Sequence, residues 1–218
     1  MIETIRLYSF FVSIQGESTR AGLPCAFVRL AGCPLACGYC DTVLARDAAG
    51  IETGIPEIVA RVLAAGPRLV EVTGGEPLSQ PGAITLLAAL ADAGFEVMVE
   101  TSGAFPIRDV DPRVRVVMDI KTPGSGMAER FCEENLDVLV PGRHEVKIVV
   151  TSRADFDWAI ARIQGAGLVD RCDVLLSPAH PLVAYTELAE WILASGLPLR
   201  FQPQLHRLIW PAPQAEER

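Results

Sequence analysis

Histidine, aromatic side chains and positive charge are all scarce in this chain of 218 residues, which has three histidines, 6% aromatics, and 19 Lys and Arg against 27 Asp and Glu. The net charge of −8 disfavours nucleic acid or an anionic membrane as partner, since both need a basic surface, and favours a small-molecule substrate. Long apolar runs are missing too. Glu3 and Arg6 interrupt the first apolar stretch, Met1 to Val12, and no later run approaches membrane-spanning length, so neither signal peptide nor anchor is expected and the protein reads as cytoplasmic. Without a secretory signal, six cysteines are expected to be thiols or metal ligands and not a disulfide framework. Repeats, low-complexity tracts and linkers are absent, which leaves a single domain over residues 1–218 whose tail, Pro211 to Arg218, is expected to be disordered. Half of the residues are hydrophobic, enough for one well-buried core.

What the sequence does contain is alternation. Short β-branched runs bounded by Gly or Pro alternate with helix-length segments, the pattern of βα units around a mostly parallel sheet. Strands are expected near Cys25 to Ala31, Leu69 to Thr73, Phe95 to Glu100, Val114 to Asp119, Glu145 to Val150, Asp173 to Ser177 and Leu199 to Phe201. Helices are expected near Pro56 to Ala65, Gly82 to Ala93, Ala154 to Gln164 and Tyr185 to Ala194; in the first, Ile58, Val59, Val62 and Leu63 keep to one side. Pro56 suits a first helical position and Gly66 a stop. Between Gly103 and Val114 only a Pro-containing loop is available, too short for a crossover helix. The expected fold is therefore α/β, an incomplete (β/α) barrel of the TIM type with a reduced number of helices.

Cys33-Pro-Leu-Ala-Cys37-Gly-Tyr-Cys40 places three thiols within eight residues, directly after an apolar strand. A closed structural zinc site wants four protein ligands, usually as two separated pairs, and no second pair exists here. Three thiolates on a four-iron cluster leave one iron open to a small molecule. Thr73-Gly74-Gly75-Glu76-Pro77 follows the next strand, where two glycines admit close backbone approach and a carboxylate complements an ammonium.

With these two motifs the chain resembles the radical S-adenosylmethionine superfamily, which implies a 4Fe-4S cluster on Cys33, Cys37 and Cys40 with S-adenosylmethionine beside it. Further segments resemble the 7-carboxy-7-deazaguanine synthase family over nearly the whole chain: Phe11 to Glu17, Phe27 to Cys33, Tyr39 to Thr42, Val99 to Gly103, Asp119 to Pro123 and Gln202 to His206. The resemblance implies ring contraction of 6-carboxy-5,6,7,8-tetrahydropterin to 7-carboxy-7-deazaguanine with loss of ammonia, assisted by magnesium. It also implies a homodimer and an electron donor such as flavodoxin. Two other readings stand beside it: an activase of a glycyl-radical enzyme, and a non-catalytic cysteine-metal domain.

On the same resemblance, Ile14, Gln15, Gly16, Arg29, Thr101 and His206 face the substrate. Tyr39, Cys40, Asp41, Gly75, Glu76, Gly103, Lys121 and Gln202 lie with the cofactor, and Thr42 is a magnesium ligand. Every motif falls at the carboxyl end of an expected strand, where barrel enzymes gather their catalytic groups. Period-two alternation turns Arg29, Glu71, Glu100 and Lys147 towards one interior. Arg29 suits a carboxylate because its planar fork gives two hydrogen bonds, although a wall ion pair is the alternative. Glu71 and Lys147 equally fit an internal ion network, Thr42 a turn, Thr101 a strand-end cap, Ile14 the core, and His206 a structural role. Cys25, Cys132 and Cys172 read as small buried hydrophobes.

Overall fold

The computed structural model describes residues 3–210; the tail expected to be disordered, residues 211–218, lies outside them. Among the described residues nine strands run in the order β1 (Thr4–Ile14), β2 (Pro24–Leu30), β3 (Ile51–Gly54), β4 (Leu69–Gly74), β5 (Glu96–Thr101), β6 (Arg115–Asp119), β7 (Glu145–Val150), β8 (Asp173–Pro178) and β9 (Arg200–Phe201). Six α-helices accompany them among the same residues: α1 (Val43–Asp47), α2 (Ile55–Ala65), α3 (Gly82–Asp92), α4 (Arg153–Gly165), α5 (Tyr185–Ser195) and α6 (Leu205–Ile209).

The sheet order is β3-β1-β2-β4-β5-β6-β7-β8-β9. Strand β1 pairs antiparallel with β2 and β3, and every pair from β2 to β9 is parallel. The seven expected strands form, as do the four long helices. Strands β1 and β3 escaped the sequence reading. β3 is only Ile51-Glu52-Thr53-Gly54 and exists through its register on Thr4 to Leu7, a tertiary pairing with no local signature. The five-residue helices α1 and α6 are too short to carry an apolar period.

Crossovers explain the low helix count. β5 to β6 is a loop, and β6 to β7 carries 3-10 turns at Pro123–Ser125, Ala128–Arg130 and Glu133–Val138. No helix of the described residues is long and apolar enough to cross a membrane.

The sheet does not close into a TIM-type barrel, because among the described residues no ladder joins β3 to β9. The fold is a mixed α/β architecture around an open nine-stranded sheet with few helices. It is nevertheless strongly curled. β1 and β7 lie five steps apart, about 24 Å across a flat sheet at about 4.8 Å per step. Yet Glu17, just past β1, meets Lys147 Nζ at 2.5 Å, and Thr19 N–H donates to Glu145 Oε2 at 2.9 Å.

Alternation divides each strand between two faces. Val28, Val70, Val72, Val97, Val99, Met118, Ile148 and Leu176 pack outward against Ile58, Val62, Leu86, Leu90, Phe156, Ile163 and Leu188 of the helices. Phe27, Arg29, Glu71, Thr73, Glu100 and Lys147 point the other way, into a cavity. Cys25, Phe27, Leu69, Met98 and Val117, with Phe11, form a second apolar cluster, of which Phe11 and Phe27 line the cavity. Cys172 is buried with Cys25, whereas Cys132 is partly exposed.

Candidate active site

A cavity of about 1540 Å³ opens at the carboxyl ends of the parallel strands. That exceeds the roughly 300–1,000 Å³ of an ordinary single-ligand pocket, so it has room for two small molecules together.

Its upper wall is the cysteine loop. Positive φ at Gly32 turns the chain out of β2, and Gly32 N–H and Cys33 N–H then donate to Ala45 and Arg46 carbonyls at 2.8 and 3.2 Å. Cys40 N–H donates to the Cys37 carbonyl at 3.2 Å, closing a tight turn. All three cysteines are free, partly exposed and line the cavity. Burial raises the Cys33 and Cys37 thiols above the usual range. Among the described residues no three His, Cys, Asp or Glu side chains are grouped so as to hold a single metal ion.

Gly75 packs directly beneath this loop. A Cβ there would sit 2.1 Å from the Gly32 carbonyl oxygen and 2.9 Å from Cys33 Cβ, so only glycine lets the two loops touch. Glu76 is fully buried and its carboxylate accepts from Leu78 N–H at 2.9 Å, Thr101 Oγ1 at 2.8 Å and Ser102 N–H at 2.6 Å. It thus ties the ends of β4 and β5 together and does not line the cavity. Thr101 does line it, with its hydroxyl engaged by Glu76. Gly103 lies outside the lining, against Phe131 and Met118. Gln202 also lies outside, buried, with Nε2 donating to the Pro203 carbonyl at 2.9 Å.

Ile14, Gln15, Gly16, Arg29, Tyr39, Cys40, Asp41, Thr42, Gly75, Thr101, Lys121 and His206 all line the cavity. Gly16 lies under His206, whose Nδ1 would be 2.5 Å from any Cβ at that position. Burial lowers the His206 pKa. Thr42 Oγ1 donates to Asp41 Oδ1 at 2.9 Å. Burial opposes ionisation of Asp41, but the Gln204 amide, Lys147, Thr42 and Arg207 together hold its pKa down at about 2.

Charge inside the cavity is almost entirely paired. Lys147 Nζ bridges Glu17 and Glu100 at 2.5 and 2.6 Å. Burial disfavours its charge, yet the two carboxylates hold it well above the usual lysine range. Lys121 Nζ meets Asp119 at 2.7 Å and stands 5.6 Å over the Tyr39 ring. Arg46 pairs with Asp47 and Arg207 with Asp41. Glu71 makes no ion pair among the described residues; it accepts from Gln15 Nε2 at 2.5 Å, and burial with the nearby Glu100 charge pushes it up to about 8.

Arg29 is the exception among the cavity's lysines and arginines. It makes no ion pair among the described residues, its Nε is buried without a hydrogen-bond partner, and its guanidinium lies 5.5 Å over the Phe11 ring. Tyr39 OH, Asp119 Oδ1 and Ser177 Oγ line the same space, also buried and unpartnered. Native interiors satisfy such atoms, so the cavity is built to receive a polar, anion-bearing ligand.

No protein-family model matches the chain. Among curated proteins it is 48% identical over 208 residues to the 7-carboxy-7-deazaguanine synthase of Chlorobaculum tepidum, covering 94% of each chain. The synthase of Koribacter versatilis is 37% identical over 221 residues, covering 94% of this chain and 97% of its own. The chain belongs to the 7-carboxy-7-deazaguanine synthase family. Among solved structures, the QueE fold from Escherichia coli matches with a TM-score of 0.71 at 22% identity, over 92% of this chain and 94% of that one. Streptococcus suis SuiB, solved with S-adenosylmethionine bound, shares the fold more loosely, at a TM-score of 0.54 and 13% identity over 79% of this chain and 45% of that one.

Membership in this radical enzyme family implies a 4Fe-4S cluster and S-adenosylmethionine. The residues present fit both: three free thiols on one loop face a cavity large enough for a second molecule, beside orphaned polar atoms. Sequence reasoning left out Glu17, Thr73, Glu100, Ser177 and Gln204, which the curled sheet brings to the same space. Alternation grouped Thr73 and Glu100 with the interior, and the internal-network alternative holds for Lys147. Ser177 carried no signal beyond its place at a strand end.

Proposed function

We infer that this chain contracts the ring of 6-carboxy-5,6,7,8-tetrahydropterin to 7-carboxy-7-deazaguanine with loss of ammonia, as a radical S-adenosylmethionine enzyme. The observation that carries this is its 48% identity to a synthase across 94% of both chains, joined to an unpaired arginine in the cavity below three free cysteines. Nothing observed favours the glycyl-radical activase or the non-catalytic metal domain.

Cys33, Cys37 and Cys40 hold the cluster, which when bound supplies the electron for reductive cleavage of S-adenosylmethionine. Tyr39, Cys40, Asp41, Gly75 and Lys121 flank the cofactor. Glu76 acts from behind by fixing the Thr101–Ser102 turn, and Gly103 and Gln202 support the same rim from outside the cavity. Arg29 binds the substrate carboxylate in a bidentate pair, a role supported by its lack of a protein anion. Gln15, held by Glu71, and Ile14 and Gly16 beside it line the pterin, with His206 seated over Gly16. Phe11 and Phe27 give the cavity an apolar wall, backed by Met98, that keeps water from that side.

Thr42 supplies a hard oxygen for magnesium next to an Asp41 kept ionised, which suits a divalent cation. The open, curled sheet is read as an incomplete barrel of the TIM type, a reading supported by Lys147 of β7 and Glu17 after β1 meeting across its interior. The single domain over residues 1–218, the homodimer, the cytoplasmic location and a flavodoxin-like electron donor rest on composition and resemblance. Anaerobic reconstitution with iron and sulfide tests the reading. About four irons per chain, and cofactor cleavage that depends on the pterin, are expected; protein that takes up zinc and no iron would overturn it.

A further inference from the structure

The Cys37 to Cys40 turn touches a segment, 122–126, that is clamped by Asp155, a buried residue outside the cavity lining. Asp155 lies in the first turn of α4 and is 3% exposed. Its own N–H donates to Ser152 Oγ at 3.2 Å, so the helix end is capped by Ser152 and the Asp155 carboxylate is free to reach sideways. Oδ2 accepts from Thr122 Oγ1 at 2.9 Å, Thr151 N–H at 3.0 Å and Thr151 Oγ1 at 2.6 Å, and Oδ1 accepts from Gly124 N–H at 2.9 Å. Four donors on one buried carboxylate form a rigid joint. Gly124 has no alternative there, because a Cβ would stand 2.2 Å from Thr151 Oγ1 and 2.4 Å from Asp155 Oδ2.

The clamped segment is a closed turn. Ser125 N–H and Oγ both donate to the Thr122 carbonyl, at 3.0 and 2.6 Å, and Gly126 N–H donates to the Pro123 carbonyl at 2.9 Å. Its outer side meets the cysteine turn twice. Ser125 carbonyl accepts from Gly38 N–H at 3.0 Å, and Lys121, the residue before the clamp, stands over the Tyr39 ring. Cys33 is held by different partners, the Arg46 carbonyl and the Gly75 backbone.

We propose that Asp155 is a positioning residue: through the turn 122–126 it holds Cys37, Gly38, Tyr39 and Cys40 in their ligand-binding shape before any cluster is loaded. The ordering cost of that turn then falls on folding and not on cluster assembly. The proposal rests on the functional reading only for what the cysteines are for.

The test uses the full-length apoprotein. Asp155→Asn keeps the shape but turns an amide N–H₂ towards donors, and Thr151→Val removes one donor while leaving the carboxylate. Alkylation with iodoacetamide is followed at each cysteine by mass spectrometry, together with amide exchange at Gly38 and in β7. In Asp155→Asn, Cys37 and Cys40 should react on the order of tenfold faster, the opening expected from losing one charge-assisted hydrogen bond. Gly38 exchange should rise in step while Cys33 and the β7 amides stay as in the parent. Thr151→Val should give a smaller change with the same pattern, and it decides the matter if Asp155→Asn does not fold. Equal acceleration at all three cysteines and in β7 would mean general destabilisation, and no change at Cys37 would mean no bracing; either overturns the proposal. A chain that binds no iron would defeat the functional reading while leaving this pattern to be read.

Discussion

Replacing Arg29 by Met removes a cavity arginine that has no anion among the described residues, and the structure fixes both consequences. Breaking a buried ion pair by deleting one partner costs about 3–5 kcal/mol, because a charge is left uncompensated. Here no carboxylate depends on Arg29, which touches Phe11 through its guanidinium face, and Phe11 is itself stacked on Phe27 at 4.9 Å. A Met side chain fills comparable space over that ring, so unfolding free energy should change by less than about 1.5 kcal/mol. Binding behaves differently. A bidentate guanidinium-carboxylate contact has two hydrogen bonds to charged groups, each about 1.5–3 kcal/mol, so the loss is about 3–4 kcal/mol after partial solvation of the free substrate carboxylate. At 1.4 kcal/mol per tenfold, affinity for the carboxypterin should fall by two to three powers of ten. The assay is equilibrium binding of the pterin with and without its carboxylate, to parent and variant, with thermal unfolding alongside. The parent should prefer the carboxylated form by that factor, and Arg29→Met should bind both within about threefold of each other. A variant that keeps the parent preference would remove Arg29 from the substrate site, and a variant that unfolds would reveal a hidden structural anion.

Glu71 offers a pH test of the cavity. Its pKa rises from an ordinary 4.5 to about 8 on folding, through burial and then the Glu100 charge, so the native form binds the extra proton and stability is lost as pH climbs between those values. Glu71→Gln should therefore gain melting temperature over the parent progressively from pH 5 to pH 8, and a constant gap would show that Glu71 is ionised throughout. Gly75→Ala places a methyl against the Gly32 carbonyl at 2.1 Å and should cost more than about 2 kcal/mol together with cluster retention; an iron-replete, stable variant would mean the loops separate freely. Gly16→Ala brings a Cβ to 2.5 Å from His206 Nδ1, which a turn of the imidazole can relieve, and to 3.4 Å from the His206 backbone N. Its folding should survive while pterin KM rises more than kcat falls, and unchanged KM would place His206 away from the substrate.

The parallel part of the fold is readable where strands are short and rich in β-branched residues, as in Leu69–Gly74 and Glu145–Val150, and where a helix such as Ile55–Ala65 carries an apolar stripe. β3 was not, since Ile51 to Gly54 becomes a strand only by lying against Thr4 to Leu7. The site divides in the same way. Cys33, Cys37, Cys40 and Gly75 carry their chemistry in spacing and residue type, and Arg29 in its alternation with Phe27. The partnerships of Lys147 with Glu17 and of Asp155 with Thr122 depend on the curl of the sheet and on a crossover without a helix, and spacing along the chain encodes neither. Glu76 is the instructive residue. The sequence motif suggested a carboxylate facing a ligand, whereas its oxygens are taken by β5 and by its own turn, because a buried carboxylate in a tight joint captures the nearest backbone donors.

The decisive experiment gives 6-carboxytetrahydropterin carrying deuterium at C6 to the reduced, reconstituted protein with S-adenosylmethionine. The expected result is 7-carboxy-7-deazaguanine, with deuterium transferred to the 5′ carbon of the adenosyl group. Cleavage of S-adenosylmethionine with no deazaguanine formed, or product formed without label reaching that carbon, would contradict it.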